Sequence, residues 1–206
     1  MTRRVICISR SLGAGGEAIG LAAAKEMGYR YIDEEIIVRA AKTAKITPEE
    51  MAKSEKPPGL IERLLESIGK TSANPEGWGS YAAMAAENVT PSEALIELAV
   101  RETAREGNVV IVAHGGSIAL GETESVLRVL ITGSPDVRAS RLQEAKDIGL
   151  PTARKEVDKS DKDRKAYLSR FYDISEELPI HYDIVLNTDT LNMVGAVGLI
   201  VAAAEA

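Results

Sequence analysis

The segment from Val5 to Gly20 constrains the fold of this chain more than any other. It begins with a short apolar run rich in β-branched residues, continues through a loop of small residues and ends in an alanine-rich helical pattern. A strand that meets a helix through such a loop brings backbone N–H groups close to a polyphosphate, and the helix N-terminus favours the negative charge. We therefore predict a phosphate-binding turn formed by Gly13, Ala14, Gly15 and Gly16.

The predicted loop is short of positive charge. Gly16 and Glu17 stand where the standard pattern G-x-x-x-x-G-K-[ST] has its lysine and its hydroxyl residue. Arg10, directly before the loop, is either the cation that offsets the missing lysine or an exposed turn residue. The Glu17 carboxylate could contact magnesium or a substrate hydroxyl, or it could face solvent as a favourable partner of the helix dipole.

Composition limits the classes of protein that remain. A length of 206 residues with 45% hydrophobic residues fits one domain, or one core with an inserted lobe. The net charge of −6 argues against partners such as nucleic acid or an anionic membrane. The single cysteine, Cys7, excludes a disulfide framework and is expected to be a buried apolar residue. No apolar run approaches the ~18 residues of a membrane span, so we expect a cytoplasmic protein.

Five short apolar runs, separated by helical patterns, predict five strands. The runs are almost entirely apolar rather than alternating, as in parallel strands that are covered on both faces. The fold class expected is therefore α/β, with three α/β/α layers around a doubly wound parallel sheet. The predicted strands are Arg4 to Ser9, Tyr29 to Ile32, Asn108 to Ala113, Val126 to Thr132 and Ile184 to Asn187.

Two segments differ in character from this core. Residues 53–88 contain Pro- and Gly-rich breaks, the single tryptophan and short amphipathic pieces, which indicate a helical insert. Residues 146–160 include Gly149-Leu150-Pro151, which ends one helix before a charged helix begins. We predict a substrate-binding insert and a lid there, with the core formed by 1–52 and 89–206, because lids exclude water in phosphate-handling enzymes.

Two residues follow predicted strands at the edge where open α/β sheets bind ligands. Asp33 follows the second strand, where it could accept a proton from a substrate hydroxyl, order magnesium or cap the next helix. His114 follows the third strand, where it could bind phosphate when protonated or simply close the turn. The two histidines of the chain do not have the spacing of a metal site, so we predict no metal ligands of that kind.

One face of the predicted helix from Arg154 to Phe171 carries both charge and apolar residues. Asp161 and Arg164 lie in the middle of a stripe whose ends are apolar. Charges on an inward stripe are costly unless they are paired or bound to a ligand. The two residues are therefore either an ion pair with each other, or a guanidinium on phosphate oxygens with a carboxylate that orients it. Arg138 and Arg141, just after the fourth strand, either reach the cleft from the lid side or are solvated.

The chain resembles the cytidylate kinase-like family, a branch of the P-loop nucleoside monophosphate kinases, over nearly its whole length. Members of this branch commonly have Gly-Gly in place of the loop lysine. The similarity lies in the order and spacing of five motifs: Ile8-Ser9-Arg10 with Gly13-Ala14-Gly15-Gly16, Tyr31-Ile32-Asp33-Glu34-Glu35-Ile36-Ile37, Val110-Ile111-Val112, Asp161-x-x-Arg164 with Tyr167, and Tyr182-Asp183-Ile184-Val185-Leu186-Asn187-Thr188.

The resemblance implies transfer of the γ-phosphoryl group of ATP, with Mg²⁺, to a nucleoside monophosphate such as CMP. Two positions depart from the family pattern: Glu17 stands where the branch usually has arginine, and Ala113-His114 stands for its usual Gly-Arg. Since phosphoryl transfer depends on neutralising charge, these exchanges bear directly on activity. The residues that match acceptor- or phosphate-contacting positions are Asp33, Asp161, Arg164 and Arg138.

Two hypotheses follow. In the first, the protein is an ATP-dependent phosphotransferase: Arg10 and the residues from Gly13 to Glu17 hold the donor, and Arg138 and Arg164 neutralise the transferring group. Its acceptor is CMP or a related small compound, positioned by four residues: Asp33, Asp161, His114 and Arg141. In the second, the protein is a non-catalytic nucleotide-binding or interaction module on the same fold, which Glu17 and His114 favour. The alanine-rich C-terminal helix, 196–206, could support a homodimer or could be core.

Overall fold

The computed structural model describes residues 3–54 and 91–206. Over these two ranges the chain forms five strands and eight α-helices, with one 3₁₀ turn at Pro179–His181. The strands are β1 (Val5–Arg10), β2 (Arg30–Ile32), β3 (Val109–Val112), β4 (Val126–Thr132) and β5 (Ile184–Asn187). The helices are α1 (Gly16–Met27), α2 (Glu35–Ala44), α3 (Pro48–Ser54), α4 (Pro91–Glu106), α5 (Gly116–Leu120), α6 (Pro135–Lys146), α7 (Leu150–Tyr172) and α8 (Met193–Glu205).

The five strands form one sheet in the order β2-β3-β1-β4-β5, and every pair is parallel. The predicted fold class is thereby confirmed, and all five predicted strands are present within one or two residues of the expected bounds. Because the strands are parallel, their carboxyl ends meet at one edge of the sheet. The glycine loop and the residues that follow β2, β3, β4 and β5 all lie at this edge.

Side chains of the inner strands alternate between two cores, which explains why these strands are apolar throughout. On one face, Val5 and Cys7 of β1 pack with helices α2, α3, α4 and α5. On the other face, Ile6 and Ile8 pack with α1 and α8. The Cys7 side chain is fully buried, and burial raises the pKa of its thiol to about 12, as expected for a cysteine that acts as an apolar residue.

The helix signals in the sequence have a visible physical basis. At α3, the Thr47 hydroxyl accepts from the backbone N–H of Glu50 at 3.2 Å, and the Glu50 carboxylate accepts from the N–H of Thr47 at 2.9 Å. This reciprocal pair is a capping box. Helix α7 begins at Leu150 rather than at the predicted Arg154, because the proline at 151 fits the first turn of a helix.

Helices α6 and α7 form a hairpin with a small core of its own. Ala139 and Leu142 of α6 pack against Ala153 and Val157 of α7. The predicted lid, residues 146–160, spans the junction of these two helices. The predicted insert, residues 53–88, lies almost entirely outside the described residues, so its role stays a prediction.

The outer face of α8 is apolar and partly exposed. Val194 is 77% exposed and Leu199 is 49% exposed, whereas Ala196 and Ile200 are buried against the sheet. The homodimer expected from this helix stays a prediction. Within 3–54 and 91–206, no helix is both long enough and apolar enough to cross a membrane.

The glycine loop provides a matched pair of substitutions. Gly13 and Gly15 both have φ +81°, but a Cβ at Gly13 would lie 2.5 Å from the carbonyl oxygen of Arg138, whereas a Cβ at Gly15 would meet nothing within 4 Å. We expect Gly15→Ala to lower the free energy of unfolding by about 1–2 kcal/mol, the cost of a left-handed non-glycine residue. Gly13→Ala adds a backbone clash to that cost, so we expect a distinctly larger loss in chemical denaturation. Equal losses for the two variants would contradict the packing of the loop against α6.

Candidate active site

The glycine loop joins β1 to α1 at the carboxyl edge of the sheet. Two left-handed residues turn the chain, and the N–H of Ala14 donates to the carbonyl of Ser11 at 3.0 Å. The carbonyl of Gly15 accepts from Ile19 and starts α1. Helix geometry leaves the first N–H groups of α1 without intrahelical acceptors, and they point out of the helix N-terminus. The loop thus has the backbone arrangement of a phosphate cradle.

Arg10 occupies the space beside Gly16 where a longer side chain would start. A Cβ at Gly16 would lie 2.5 Å from the Cβ of Arg10 and 3.1 Å from its Cδ. The Arg10 guanidinium forms an ion pair with Glu17, whose side chain is about half exposed. Glu17 therefore has a role that the sequence analysis did not consider: it neutralises Arg10 beside the loop. Arg10 and a lysine at position 16 cannot share this space as the backbone stands.

A cavity of about 530 Å³ opens on the β2 side of the loop, and we call it the β2-side cavity. Its polar lining comes from the ends of β1, β2 and β3 and from helices α2 and α3. The polar residues are Arg10, Asp33, Glu34, Glu49 and His114, and the remaining lining residues are Ile37, Val38, Pro48, Ala52 and Ala113.

Asp33 is held as a carboxylate in this cavity. The Nε2 atom of His114 lies 3.7 Å from Asp33 Oδ1, and the Tyr31 hydroxyl donates to Asp33 Oδ2 at 3.3 Å. Interaction with His114 holds the pKa of Asp33 below its ordinary value. Burial acts in the opposite direction and raises this pKa, whereas the charge of Arg10 lowers it further. Burial, followed by the charge of Asp33, raises the pKa of Tyr31 to about 12. Asp33 is therefore ionised at neutral pH, and Tyr31 is a phenol.

The turn after β3 is conformationally unusual. Ala113 has φ +70° and His114 has φ +54°, so two consecutive non-glycine residues are left-handed. Such residues are costly, and strained backbone of this kind is found at active sites as well as in tight turns. The turn directs His114, whose side chain is 9% exposed, towards Asp33. His114 thus contacts the carboxylate of Asp33, which the sequence analysis placed at the same edge of the sheet.

Arg138 binds three parts of the site together. It donates from Nη1 and Nη2 to the two carboxylate oxygens of Asp161, at 2.9 and 2.6 Å. Its Nε donates to the carbonyl of Gly133 at 2.9 Å, and Nη1 also lies 3.3 Å from the carbonyl of Leu12 in the glycine loop. Of the two alternatives considered for Asp161 and Arg164, an ion pair with each other is therefore wrong, because Asp161 pairs with Arg138, which is almost fully buried.

Arg164 has a different partner, from beyond the end of α7. It donates from Nε and Nη2 to the two oxygens of Glu177, at 2.8 and 2.5 Å, and Nη2 lies 3.4 Å from the Tyr182 hydroxyl. The Tyr182 hydroxyl also hydrogen-bonds Glu177. Burial raises the pKa of Glu177, but Arg164 outweighs it and holds that pKa below its ordinary value. Burial, followed by the charge of Glu177, raises the pKa of Tyr182 to about 12.

A second cavity, of about 440 Å³, lies on the β4 side of the glycine loop, and we call it the β4-side cavity. Both ion pairs of α7 line it. Its lining also includes hydroxyl groups of Ser11 and Thr132, which lie 3.2 Å apart. The lining residues are Ser11, Thr132, Arg138, Asp161, Arg164, Lys165, Leu168, Ile174, Ser175, Glu176 and Glu177.

Arg141 acts behind the glycine loop rather than in either cavity lining. It donates to the hydroxyl of Thr188 at 2.9 Å and to the carbonyl of the same residue. The buried Thr188 hydroxyl lies 3.0 Å from the carbonyl of Ala14 and 3.1 Å from that of Thr132. Arg141 therefore supports the loop through Thr188.

The arrangement suits a nucleotide polyphosphate better than a resident metal. Backbone amides of the loop, Arg10 beside it, and Arg138 and Arg164 in the lining of the β4-side cavity provide the chemistry that phosphate oxygens require. The described parts of the chain contain no group of three or more His, Cys, Asp and Glu side chains that could hold a metal ion. Magnesium does not need one, since it commonly binds through substrate phosphates, water and one or two carboxylates. Asp33, at the carboxyl edge of the sheet, is a carboxylate that could take part in such a site.

Sequence reasoning missed Glu177 and Thr188 as parts of the site. Glu177 lies in a polar turn with no periodic pattern, and only contact with Arg164 distinguishes it from Glu176. Thr188 belongs to a motif that supports the family resemblance, but its side chain contacts the loop only after β5 pairs with β4.

Solved structures share this fold at low sequence identity. An uncharacterized protein from Eubacterium ventriosum is 17% identical, with a TM-score of 0.69 over 98% of each chain. Shikimate kinase from Bacteroides thetaiotaomicron is 14% identical, with a TM-score of 0.50 over 97% of each chain. A gluconokinase from Sinorhizobium meliloti is 12% identical, with a TM-score of 0.51 over 98% of this chain and 92% of that chain. These likenesses show the fold alone.

The sheet order, the glycine loop and these neighbours together define a P-loop kinase fold of the nucleotide kinase type. Within this class, the chain belongs to the cytidylate kinase-like family, whose sequence profile matches residues 5–190. The family resemblance drawn from the sequence is thereby confirmed. A comparison with curated protein sequences gives no match.

The Arg164–Glu177 pair makes a prediction for stability. Glu177→Gln leaves a largely buried guanidinium without its counter-ion, so we expect the free energy of unfolding at pH 7 to fall by about 3 kcal/mol. Tyr182→Phe is the matched control: it removes one hydrogen bond to Glu177 and keeps the ion pair, so we expect a loss of about 1 kcal/mol.

The same pair sets a pH dependence. Because the pKa of Glu177 lies below its ordinary value of 4.5, the stabilisation is fully present above that pH. It is lost as the pH falls through the lower, folded-state pKa. The difference in unfolding free energy between the wild type and Glu177→Gln, measured by urea denaturation, should be constant from pH 7 to 5 and shrink below 4.5. A difference that grew towards low pH would contradict the ion pair.

Proposed function

We propose that this protein is an ATP-dependent phosphotransferase of the nucleoside monophosphate kinase type, acting on a small acceptor for which the family suggests CMP or a related compound. The observation that carries the proposal is the left-handed glycine loop at the N-terminus of α1, with one cavity on each side of it. A donor on the loop would face an acceptor in the β2-side cavity and the α6–α7 hairpin on the other side. We place the protein in the cytoplasm, where ATP is available.

The donor phosphates would bind the backbone N–H groups of Gly15, Gly16 and Glu17, with Arg10 beside them. Three guanidinium groups have carboxylate partners within the protein: Arg10 has Glu17, Arg138 has Asp161 and Arg164 has Glu177. Phosphate oxygens would have to replace some of these carboxylates. Magnesium bound with ATP would supply further neutralisation of the phosphate charge.

Not all three arginines are equally available for phosphate. Arg138 is 4% exposed at its side chain and donates to backbone carbonyls as well as to Asp161, so we assign it to holding the loop. Among the described residues, the hydrogen-bond partners of Arg164 are Glu177 and Tyr182, and both lie on a short segment beyond α7. A movement of that segment would release Arg164 towards the transferring group. We therefore assign charge stabilisation to Arg164 and Arg10.

Transfer itself needs positioning more than covalent help from the protein. The acceptor oxygen forms a bond to the γ-phosphorus, the bond from that phosphorus to the β,γ-bridging oxygen breaks, and ADP leaves with the electron pair. Asp33, ionised and oriented by His114 and Tyr31, would position the acceptor by accepting a hydrogen bond from one of its hydroxyl or amino groups. With CMP the attacking atom is an ionised phosphate oxygen and no proton is removed, whereas with an acceptor that attacks through a hydroxyl Asp33 would take that proton late in the transfer. Closure of the predicted lid, 146–160, would exclude water.

A second candidate function is a non-catalytic nucleotide-binding or interaction module. The observation that favours it is the neutralisation of every one of the three arginines by a carboxylate of the protein. The two candidates differ in turnover rather than in nucleotide binding.

Donor binding can be tested with two neighbouring glutamates. Glu176 and Glu177 both line the β4-side cavity, but of the two only Glu177 contacts Arg164. We expect Glu177→Gln to bind Mg·ATP more tightly than Glu176→Gln, because each removes one negative charge but only the first frees Arg164. The measurement is the ligand-induced rise in unfolding free energy, which is about 2.7 kcal/mol at a hundredfold excess over Kd. No rise for any variant or the wild type would remove the kinase proposal.

Turnover can be tested at Asp33. Asp33→Asn preserves shape but removes the charged hydrogen-bond acceptor, so we expect kcat/KM to fall about 10- to 10²-fold with CMP, and about 10²- to 10⁴-fold with an acceptor that attacks through a hydroxyl, with stabilisation by Mg·ATP retained. ADP release in a coupled assay measures this. An unchanged rate would show that the acceptor binds elsewhere, and a wild type that binds ATP without releasing ADP for any acceptor would favour the module.

A further inference from the structure

The strained turn after β3 extends over a third residue. Gly115, which follows Ala113 and His114, is also left-handed, with φ +63°, so three consecutive residues share this conformation. The N–H of Gly116 donates to the carbonyl of Ala113 at 3.1 Å and closes the turn. Because His114 lies inside this turn, a shift of the turn moves the imidazole ring relative to Asp33.

The Tyr172 ring, on the last residue of α7, lies against the main chain of Gly115. A Cβ at Gly115 would stand 2.6 Å from the Tyr172 hydroxyl oxygen and 2.8 Å from its Cε2, so a methyl group does not fit between them. The same ring packs on the core that α2, α3, α4 and α5 form with the sheet. Tyr172 is therefore in direct contact with the turn, and this position needs glycine for space as well as for its φ.

Local contacts fix the end of α7. Asp173 is left-handed, with φ +54°, and the N–H of Ile174 donates to the carbonyl of Leu168 at 3.1 Å, which closes the last turn of the helix. The ring of Tyr172 meets that of Tyr167 edge to face, with centroids 6.1 Å apart. The position of the Tyr172 ring is thus tied to the position of the helix.

Helix α7 also holds the two ion pairs of the β4-side cavity. Asp161 binds Arg138 and Arg164 binds Glu177, and the helix continues from them to Tyr172 without a break. At a rise of about 1.5 Å per residue, roughly 12 to 17 Å of helix separates these ion pairs from Tyr172. One stiff element therefore contacts the lining of one cavity and the turn that carries the histidine of the other.

We infer that Tyr172 is a positioning residue for the acceptor site: it holds the turn that carries His114 and, through α7, links that turn to the occupancy of the β4-side cavity. This inference rests on the proposed phosphotransferase function. A donor that releases Arg164 from its carboxylate would shift α7, and Tyr172 would carry the shift to the turn. His114 would then change the orientation of the Asp33 carboxylate. Donor and acceptor binding are coupled in this way, and linkage makes the coupling reciprocal.

The chain has two histidines, and they report on the two sides of the site. His114 lines the β2-side cavity. His181 accepts through Nδ1 from the N–H of Leu178 at 3.2 Å, directly after Glu177 of the β4-side cavity. Isotope-labelled histidine gives a ring signal for each residue in NMR, and His181→Gln assigns them. The probe is the Mg²⁺ complex of the non-hydrolysable β,γ-methylene analogue of ATP, so no acceptor has to be known.

We expect the analogue to shift both ring signals in the wild type. In Tyr172→Leu the signal of His181 should still shift, whereas the shift of the His114 signal should be lost, because the helix no longer contacts the turn. Phe171→Leu is the matched control: it removes the neighbouring ring, which packs on Tyr167 at 4.5 Å between centroids, and both signals should respond as in the wild type. An undiminished His114 response in Tyr172→Leu would show that the donor acts on the ring through space, and it overturns the inference.

A stability cycle tests the contact itself and needs no ligand. Gly115→Ala forces a Cβ against the Tyr172 ring, so its cost in unfolding free energy should be smaller in the Tyr172→Leu background than in the wild type. Both backgrounds include the strain of a left-handed alanine, which the comparison cancels. Equal costs in the two backgrounds would show that the ring does not hold the turn, and they also overturn the inference.

The analogue also separates the inference from the function on which it rests. If it neither stabilises the wild type nor shifts either signal, the proposed phosphotransferase function fails, and the role of Tyr172 fails with it. If it stabilises the wild type and the His114 signal stays in place, or moves equally without Tyr172, the role of Tyr172 alone fails.

Discussion

The buried guanidinium of Arg138 is the contact on which the geometry of the site depends. It connects the glycine loop, the turn after β4 and helix α7 through hydrogen bonds to Leu12, Gly133 and Asp161. The backbone of the same residue packs against Gly13, so the loop is held from the side chain and from the main chain of one position. A charged group so fully buried is tolerated because its donors meet acceptors in fixed places. The shape of the loop is therefore a property of the α6–α7 hairpin as much as of its own glycines.

The charges of the described arginines close to the loop are balanced by carboxylates of the protein itself. Each of the three arginines close to the loop has a carboxylate from another segment, which lowers the cost of keeping three cations near one another. This balance has a functional side, because a bound polyphosphate competes with carboxylates rather than meeting free cations. The Arg138–Asp161 ion pair is backed by further hydrogen bonds of Arg138 and suits a permanent structural role. The Arg164–Glu177 ion pair involves a short connecting segment and suits replacement of the carboxylate by a phosphate.

The fold could be predicted from the sequence in most respects, because apolar β-branched runs and helix caps are local signals. A parallel sheet followed from them, since strands that are apolar throughout are covered on both faces, but the order of the strands was not predicted. The site could be predicted only in its location. Asp33 and His114 were placed at the same edge because both follow strands, and the structure brings them together. The partners of Asp161 and Arg164 were not predictable, because residues on one helix face choose partners from other elements. Turns separate Arg138 and Glu177 from Asp161 and Arg164 in the sequence, and the sequence does not show in which direction those turns lead the chain.

The close approach of Arg10 to Gly16 has a consequence for how this loop can change over evolutionary time. The two positions are coupled, so the effect of a substitution at one depends on the residue at the other. A lysine introduced at position 16 would place its Cβ 2.5 Å from the Cβ of residue 10, a contact that any residue other than glycine at position 10 keeps. Exchanging one cation for the other therefore also requires the backbone of the turn to move, and not only a pair of substitutions.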